Sequence, residues 1–303
     1  MTPQQQKQLS DAPDDTALNS FRQEIDAIDD KLIALLLERT KIIEKVAVHK
    51  ARNCPRPCHI RSGREAQMVR RIYQTFKNSS SKFPPAAAAS IWRHIIAAST
   101  AIESNMAVSA YTPEGNEEYY WLAREYFGGF TPITKHASFG RVITDVMEDK
   151  AAIGILPYPI NDAPDAWWRH THHAGKTWPK VFAIVPFMLE SRTVRTTKLA
   201  LAIAKVEPED TGDDRSLLSI TVDENTSASR LNSALKKAGL EATWMIGDEN
   251  KRDRYHLVEV RGFAKEQSPK VQTLLKEMGD SVVQFVALGS YARPLILSAK
   301  NKA

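Results

Sequence analysis

Cysteine is nearly absent. The 303 residues hold two, Cys54 and Cys58, too few for a disulfide framework, and a reduced, cytoplasmic protein is expected. Long apolar runs are lacking as well: no stretch approaches the ~18 consecutive apolar residues of a membrane-spanning helix, so no membrane partner is expected. The Gln- and Asp-rich opening, Met1 to Ala17, has neither a basic nor an apolar segment, and no export signal is read there. No phosphate-cradling P-loop or Gly-rich dinucleotide fingerprint occurs. The cluster His170, His172 and His173 has no second ligand group at metal-site spacing, so no metal and no other cofactor is expected. Charge of one sign is not in large excess, with 41 Lys and Arg against 36 Asp and Glu. The basic residues are spread among acids rather than gathered with aromatics, which argues against nucleic acid, while a net +5 still admits a small anion.

What is present describes a globular chain. Hydrophobic residues make up 43% and charged ones 25%, and the length suits two domains, or three small ones. After a polar tail over residues 1–17, the chain from Leu18 to about Arg52 contains neither Gly nor Pro. Its apolar residues recur at three- and four-residue steps: Phe21, Ile25, Ile28, Leu32, Leu35, Leu36, Ile42, Ile43 and Val46. That spacing predicts one long amphipathic helix. A Pro-containing loop follows, then a helix opened by a Ser62/Glu65 capping box and running to about Lys77. A third helix is predicted from Pro84 to about Met106, with Ile91, Trp92, Ile95, Ile96, Ser99, Ile102, Glu103 and Met106 on its inward stripe.

Beyond Asn105 short apolar runs alternate with helical stretches, an α/β pattern through residue 206. After a polar hinge, Glu207–Arg215, the order strand, helix, strand, strand, helix, strand is predicted over 213–297, the ferredoxin-like βαββαβ arrangement. The expected fold class is therefore multidomain: an all-helical region at 18–106, an α/β region at 107–206, and a ferredoxin-like region at 213–297.

The first helix carries cations on its apolar side. Arg39 lies seven residues after Leu32 and four before Ile43. Lys50 follows Arg39 by three turns, which puts the two nearly in line and ~16 Å apart. Cations facing a core are costly to desolvate without a negative partner. Ser99 and Glu103, four residues apart on the third helix, could supply one as a structural ion pair while the cations snorkel. The alternative is a polar pocket between helices for a small polyanion.

Three segments, "FRQEIDAIDDKLIALLLERTKIIEKVAVHKAR", "RPCHIRSGREAQ" and "IIAASTAIES", resemble the all-helical chorismate mutases, in particular the N-terminal domain of bifunctional chorismate mutase–prephenate dehydratases. The resemblance covers Leu18–Ser104. It implies substrate-carboxylate contacts by Arg22 and Arg39, an ether-oxygen contact by Lys50, and an Arg64–Glu65 pair whose glutamate holds a substrate hydroxyl. Ser99 and the ether-oxygen donor Glu103 complete the set. Arg61 stands where bacterial members usually have Asp, and the loop before it is longer. Glu103 stands where Gln is common, and because an ionised carboxylate cannot donate, Glu103 would have to be protonated. Arg22 lies about 100° round the helix from Arg39, and in the family this arginine crosses into the partner's site; an intertwined homodimer is implied. The reaction implied, chorismate to prephenate, is a [3,3] rearrangement that needs a compact bound conformer and stabilisation of charge on the breaking ether oxygen.

Residues 107–206 resemble a shortened prephenate dehydratase region through "YTPEGNEEYYWLAREYF" and "AAIGILPYPIND", and the resemblance implies a reduced, single-lobe α/β region. The family's Thr-Arg-Phe signature reads Thr197-Lys198-Leu199 here, and one lobe cannot form an inter-lobe cleft, so dehydratase activity is expected to be lost. "DDRSLLSITV", "RYHLVEVRGF" and "VVQFVALGSYARPL" resemble the ACT regulatory domain. Its phenylalanine-binding segments read "TSAS" (Thr226–Ser229) and "IGDEN" (Ile246–Asn250), which points to dimerisation rather than phenylalanine control. Two other readings stand beside the mutase: a non-catalytic, ligand-sensing regulatory protein, and an isochorismate-pyruvate lyase.

Overall fold

The computed structural model describes residues 15–53, 60–104, 106–160, 166–173, 178–189, 198–248 and 254–297. Cys54, Cys58 and the side chains of His172 and His173 lie outside that description. The described residues fall into two compact units, the first helix and everything from residue 60 onward.

The first unit is α1, Asp15–Asn53, 39 unbroken helical residues, about 58 Å at ~1.5 Å per residue. No Gly or Pro interrupts it, and straight-chain residues dominate between the apolar positions. Its apolar stripe finds no cover within its own unit. Phe21, Ile25, Ile28, Leu32, Leu35, Leu36 and Ile42 are all exposed, Leu32 to 57%.

The second unit opens with a helical hairpin, α2 (Ser62–Lys77) and α3 (Pro85–Glu103). Proline at the first turn of α3 lacks only an N–H that would have had no helical partner. The expected capping box is not made. Arg61 occupies the cap position, no side chain caps the helix, and Ser62 is already helical. The face that α3 buries also differs from the one expected. Ala88, Ala89, Arg93, Ile96, Ala97, Ser99 and Thr100 are buried, while Ile91 and Ile102 are exposed. The helix stops at Glu103, and Met106 is buried beyond it, at the entry to the first strand.

The α/β part follows as β1 (Val108–Tyr111), α4 (Glu118–Phe127), β2 (Ile133–His136), α5 (Phe139–Met147), β3 (Ile153–Pro157), β4 (Lys180–Val185), β5 (Met188–Leu189) and β6 (Ala200–Ala204). Next come β7 (Asp214–Val222), α6 (Ala228–Lys237), β8 (Ala242–Asp248), β9 (Arg254–Arg261), α7 (Pro269–Met278), β10 (Val282–Ala292) and β11 (Leu295–Ile296). Among the described residues, nine strands make one mixed sheet in the order β2-β1-β3-β6-β4-β10-β7-β9-β8, and β5 pairs with β11 apart from it. β1 lies parallel to β2 and β3, and β6 runs antiparallel between β3 and β4. β1, β3 and β6 are buried along their whole length, as strands covered on both faces must be.

The two parts of the sheet meet where β10 runs parallel to β4, paired at Gly289 and Val181. This joint demands glycine. Gly289 has φ 140°, and a Cβ there would lie 2.1 Å from the Val181 carbonyl oxygen.

One face of the sheet shares its core with the α2–α3 hairpin. Val69, Tyr73, Ala89 and Ile96 pack in one cluster with Ala110, Ile153, Phe182, Val185 and Ala200. On the C-terminal part, α6 and α7 cover β7, β9 and β10 through Leu231, Leu235, Val271 and Leu274. Ser227 caps α6, its side-chain oxygen accepting from the Arg230 N–H at 3.2 Å.

Candidate functional site

The residues expected to bind an anion fall on three helices. α1 carries Arg22, Arg39 and Lys50. The guanidinium of Arg22 donates to Asn19 Oδ1 at 3.1 Å, Arg39 is exposed, and Lys50 is half-buried. Because α1 is continuous, Arg39 and Lys50 stand on one line along the stripe of Leu32 and Ile43, three turns apart. The first turn of α2 carries Arg64, exposed, and Glu65, half-buried; the last turns of α3 carry Ser99, buried, and Glu103, half-buried. Ser99 donates to the Ile95 carbonyl at 2.7 Å, an i−4 bond that keeps its hydroxyl against its own helix.

Glu65 has a partner that apolar spacing alone did not indicate. Its Oε2 accepts from Arg93 Nη2 at 2.5 Å, and both side chains are largely buried. Arg93 Nη1 also donates to the Tyr126 hydroxyl at 3.3 Å, with the guanidinium 4.5 Å from the Tyr126 ring centre, a cation–π distance. Burial works against the Arg93 charge, but Tyr126 and Glu65 beside it outweigh burial and hold its pKa above the ordinary arginine value. Burial likewise pushes the Tyr126 phenol up. The Glu65 carboxylate, expected to bond at the helix cap, is drawn instead to a buried cation. Among the described residues, the Nε of Arg93 has no hydrogen-bond partner.

Two further buried polar networks occur in the second unit. In the first, Asp145 Oδ2 accepts from Ser109 Oγ at 2.7 Å and lies 2.7 Å from His136 Nε2. Burial would raise the Asp145 pKa, but the bonds from Ser109 and His136, with the charges of His136 and Arg141, hold it below 3.8. The carboxylate stands between the hydroxyl and the imidazole, so His136 has no path to activate Ser109 as a nucleophile. In the second, Glu259 accepts from Tyr158 at 2.7 Å, from Tyr291 and from Thr243, with Arg215 Nε 3.6 Å away. Trp244 Nε1 donates to the Tyr158 hydroxyl at 2.8 Å. Burial, reinforced by the Glu259 charge, pushes both tyrosines up. Every group here is occupied by another, which makes it a structural knot joining the end of β3 to β7, β8, β9 and β10.

Among the described residues, no group of three or more His, Cys, Asp or Glu side chains is placed to hold a metal. No described helix is long and apolar enough to cross a membrane. His170 lies tilted against Phe139, ring centres 5.4 Å apart and planes at 39°.

Residues 21–104, spanning α1, α2 and α3, match the chorismate mutase type II family. The chain therefore carries a chorismate mutase type II domain at its N-terminal end. Relatives beyond that domain match include the bifunctional chorismate mutase/prephenate dehydratase of Aquifex aeolicus, 28% identical over 141 residues, 46% of this chain and 38% of that one. The protein of the same name from Pseudomonas aeruginosa is 27% identical over 161 residues, 52% of this chain and 42% of its own length. The chain thus spans about two-fifths of the length of these curated relatives. Among solved structures, the prephenate dehydratase of Streptococcus mutans aligns with a TM-score of 0.47 and 14% identity, covering 63% of this chain and all of that one. The mutase domain's helices α2 and α3 are the same hairpin that packs on the sheet.

Proposed function

We propose that the protein is a chorismate mutase, converting chorismate to prephenate by a non-covalent [3,3] rearrangement. The observation that carries this reading is the line of Arg39 and Lys50 on the apolar side of one unbroken helix, within a segment that matches the chorismate mutase type II family. In this reading Arg22 and Arg39 hold the two substrate carboxylates, where the planar guanidinium suits bidentate pairing. Lys50 and a protonated Glu103 donate to the ether oxygen, Ser99 and Arg64 line the pocket, and Glu65 orients a hydroxyl. No nucleophile, metal or redox cofactor takes part.

A homodimer belongs to the same proposal. The exposed stripe of α1 and the exposed Ile91 and Ile102 of α3 are apolar surfaces that a second copy would cover, and a solitary 39-residue helix does not leave such a stripe in water without cost. Arg22, rotated away from Arg39, would then serve the partner's pocket. Residues 107–206 are assigned as a reduced dehydratase-like region without dehydratase activity, and 213–297 as an ACT-like region that dimerises. A cytoplasmic location goes with this biosynthetic role.

A second reading, ligand sensing without turnover, draws on Glu65, whose carboxylate already holds Arg93. The experiment that separates the two is incubation of the protein with chorismate and identification of the products. Arg39→Ala is expected to lower kcat/KM by about 10²–10³, the scale of losing a charged stabilising group, with the circular dichroism unchanged. Tight substrate binding without prephenate would favour the sensor, and pyruvate among the products a lyase.

A further inference from the structure

A cavity of about 50 Å³ lies in the second unit, between α2, α3, α4 and the chain after β4. Its walls are apolar: Val69, Leu122, Pro186, Phe187 and Met188. Its polar lining is Arg93, Tyr126, Ser90 and Glu125. Arg93 is 7% exposed, whereas Glu125 is exposed, so the cation lies deep and the carboxylate lies at the rim. A guanidinium carries five N–H donors. Arg93 spends one on Glu65 and one on Tyr126; its Nε is shut off from solvent, so the donors left for an acceptor in the cavity are the second hydrogens of Nη1 and Nη2.

The charges limit what could supply the acceptor. Arg93 is already neutralised by Glu65, so a simple acid would add a second negative charge beside Glu65, in a cavity that Glu125 also lines. A molecule whose carboxylate meets Arg93 and whose ammonium meets Glu125 brings no net charge. The room is that of roughly four water molecules, which suits a compact apolar side chain against Val69, Leu122 and Phe187 and not a doubly charged ring.

We propose that this cavity is a binding site for a small zwitterionic α-amino acid with a short apolar side chain, its carboxylate on the Arg93 guanidinium and its ammonium on Glu125. The site adjoins the chorismate pocket proposed above through Glu65, which holds Arg93, but does not depend on that reading.

The test is titration of the whole protein with L-valine, followed by heat release and by ligand-observed NMR. Two analogues each keep one charged end: 3-methylbutanoate lacks the ammonium, and isobutylamine lacks the carboxylate. Saturable binding of L-valine in the millimolar range is expected, with each analogue at least about tenfold weaker. Glu125→Gln, at an exposed position that leaves the core untouched, is expected to weaken L-valine about tenfold. Ser90→Leu, which fills the cavity, is expected to abolish binding while the circular dichroism is preserved. The proposal is overturned by any of three results: no saturable binding of L-valine up to ~20 mM, 3-methylbutanoate binding as well as L-valine, or unchanged binding to either variant.

Discussion

α1 and the α2–α3 hairpin belong to one family match, yet they treat their apolar residues in opposite ways. The hairpin sinks Val69, Tyr73, Ala89 and Ile96 into a core shared with the sheet. α1 keeps Phe21, Ile25, Ile28, Leu32 and Leu36 on its surface. Both stretches have helical apolar spacing, so periodicity alone does not say what a stripe will face. The difference teaches that a pattern prescribes an amphipathic element, and the partner that covers it comes from elsewhere in the chain or from another copy.

The strongest way to break this contrast is to charge the stripe. Leu32→Asp with Leu36→Asp is expected to cost about 4 kcal/mol or more of dimer stability, a loss of about a thousandfold in association, measured by sedimentation. The second unit should keep its circular dichroism, and a wild-type protein that sediments as a monomer would remove the proposed partner. Next in size is the sheet joint. Gly289→Ala forces a Cβ against the Val181 backbone and is expected to lower stability by about 3 kcal/mol, read from the urea midpoint with α1 unaffected.

Smaller effects sharpen the comparison through acids. If Glu103 donates to the ether oxygen, Glu103→Gln, whose amide also donates, keeps mutase activity while Glu103→Ala lowers kcat by about 10²; equal loss in both variants would remove this role. Asp145 is read through stability instead. Its folded-state pKa is held below 3.8, so the stabilisation it gives is present above that ordinary value and is lost as pH falls through the lowered one. Asp145→Asn is expected to reduce stability near neutral pH and to reduce it less in strong acid, as measured by urea unfolding at pH 7 and near pH 3.

Much of the fold was legible from spacing. α1 and α2, and the βαββαβ order of elements from Asp214 to Ala292, lie within a few residues of where periodicity and turn residues put them. β2 escaped because Ile133-Thr134-Lys135-His136 has one aliphatic residue in four, and its middle two residues are exposed; it holds its place through parallel pairing with β1. β5 and β11 are two residues each, too short for any periodic signal. The cap at Ser62 was misread because the local rule could not weigh Arg93, 28 residues on, as a competitor for Glu65.

The site was legible in its residue types and less so in its surroundings. Apolar spacing drew attention to Arg39 and Lys50 but passed over Arg93. Yet Arg93 lies four residues after Ala89 and four before Ala97, both buried, so helical arithmetic on α3 places it inside. Nothing local could have joined Tyr158 to Glu259, 101 residues away. Contacts of that range depend on sheet order, which spacing does not encode.

The Glu259 knot bears on how the chain is made. Its acceptor sits on β9, one of its donors precedes it by a hundred residues, and another, Tyr291, comes near the end of β10. A nascent chain halted before Tyr291 would hold a sequestered anion short of one of its hydroxyl donors, with β10 incomplete between β4 and β7. Such a fragment is penalised by the desolvation of that carboxylate. Arrival of the last long strand and completion of the hydroxyl shell around this carboxylate therefore coincide, and a chain cut short before Tyr291 is the less stable for it.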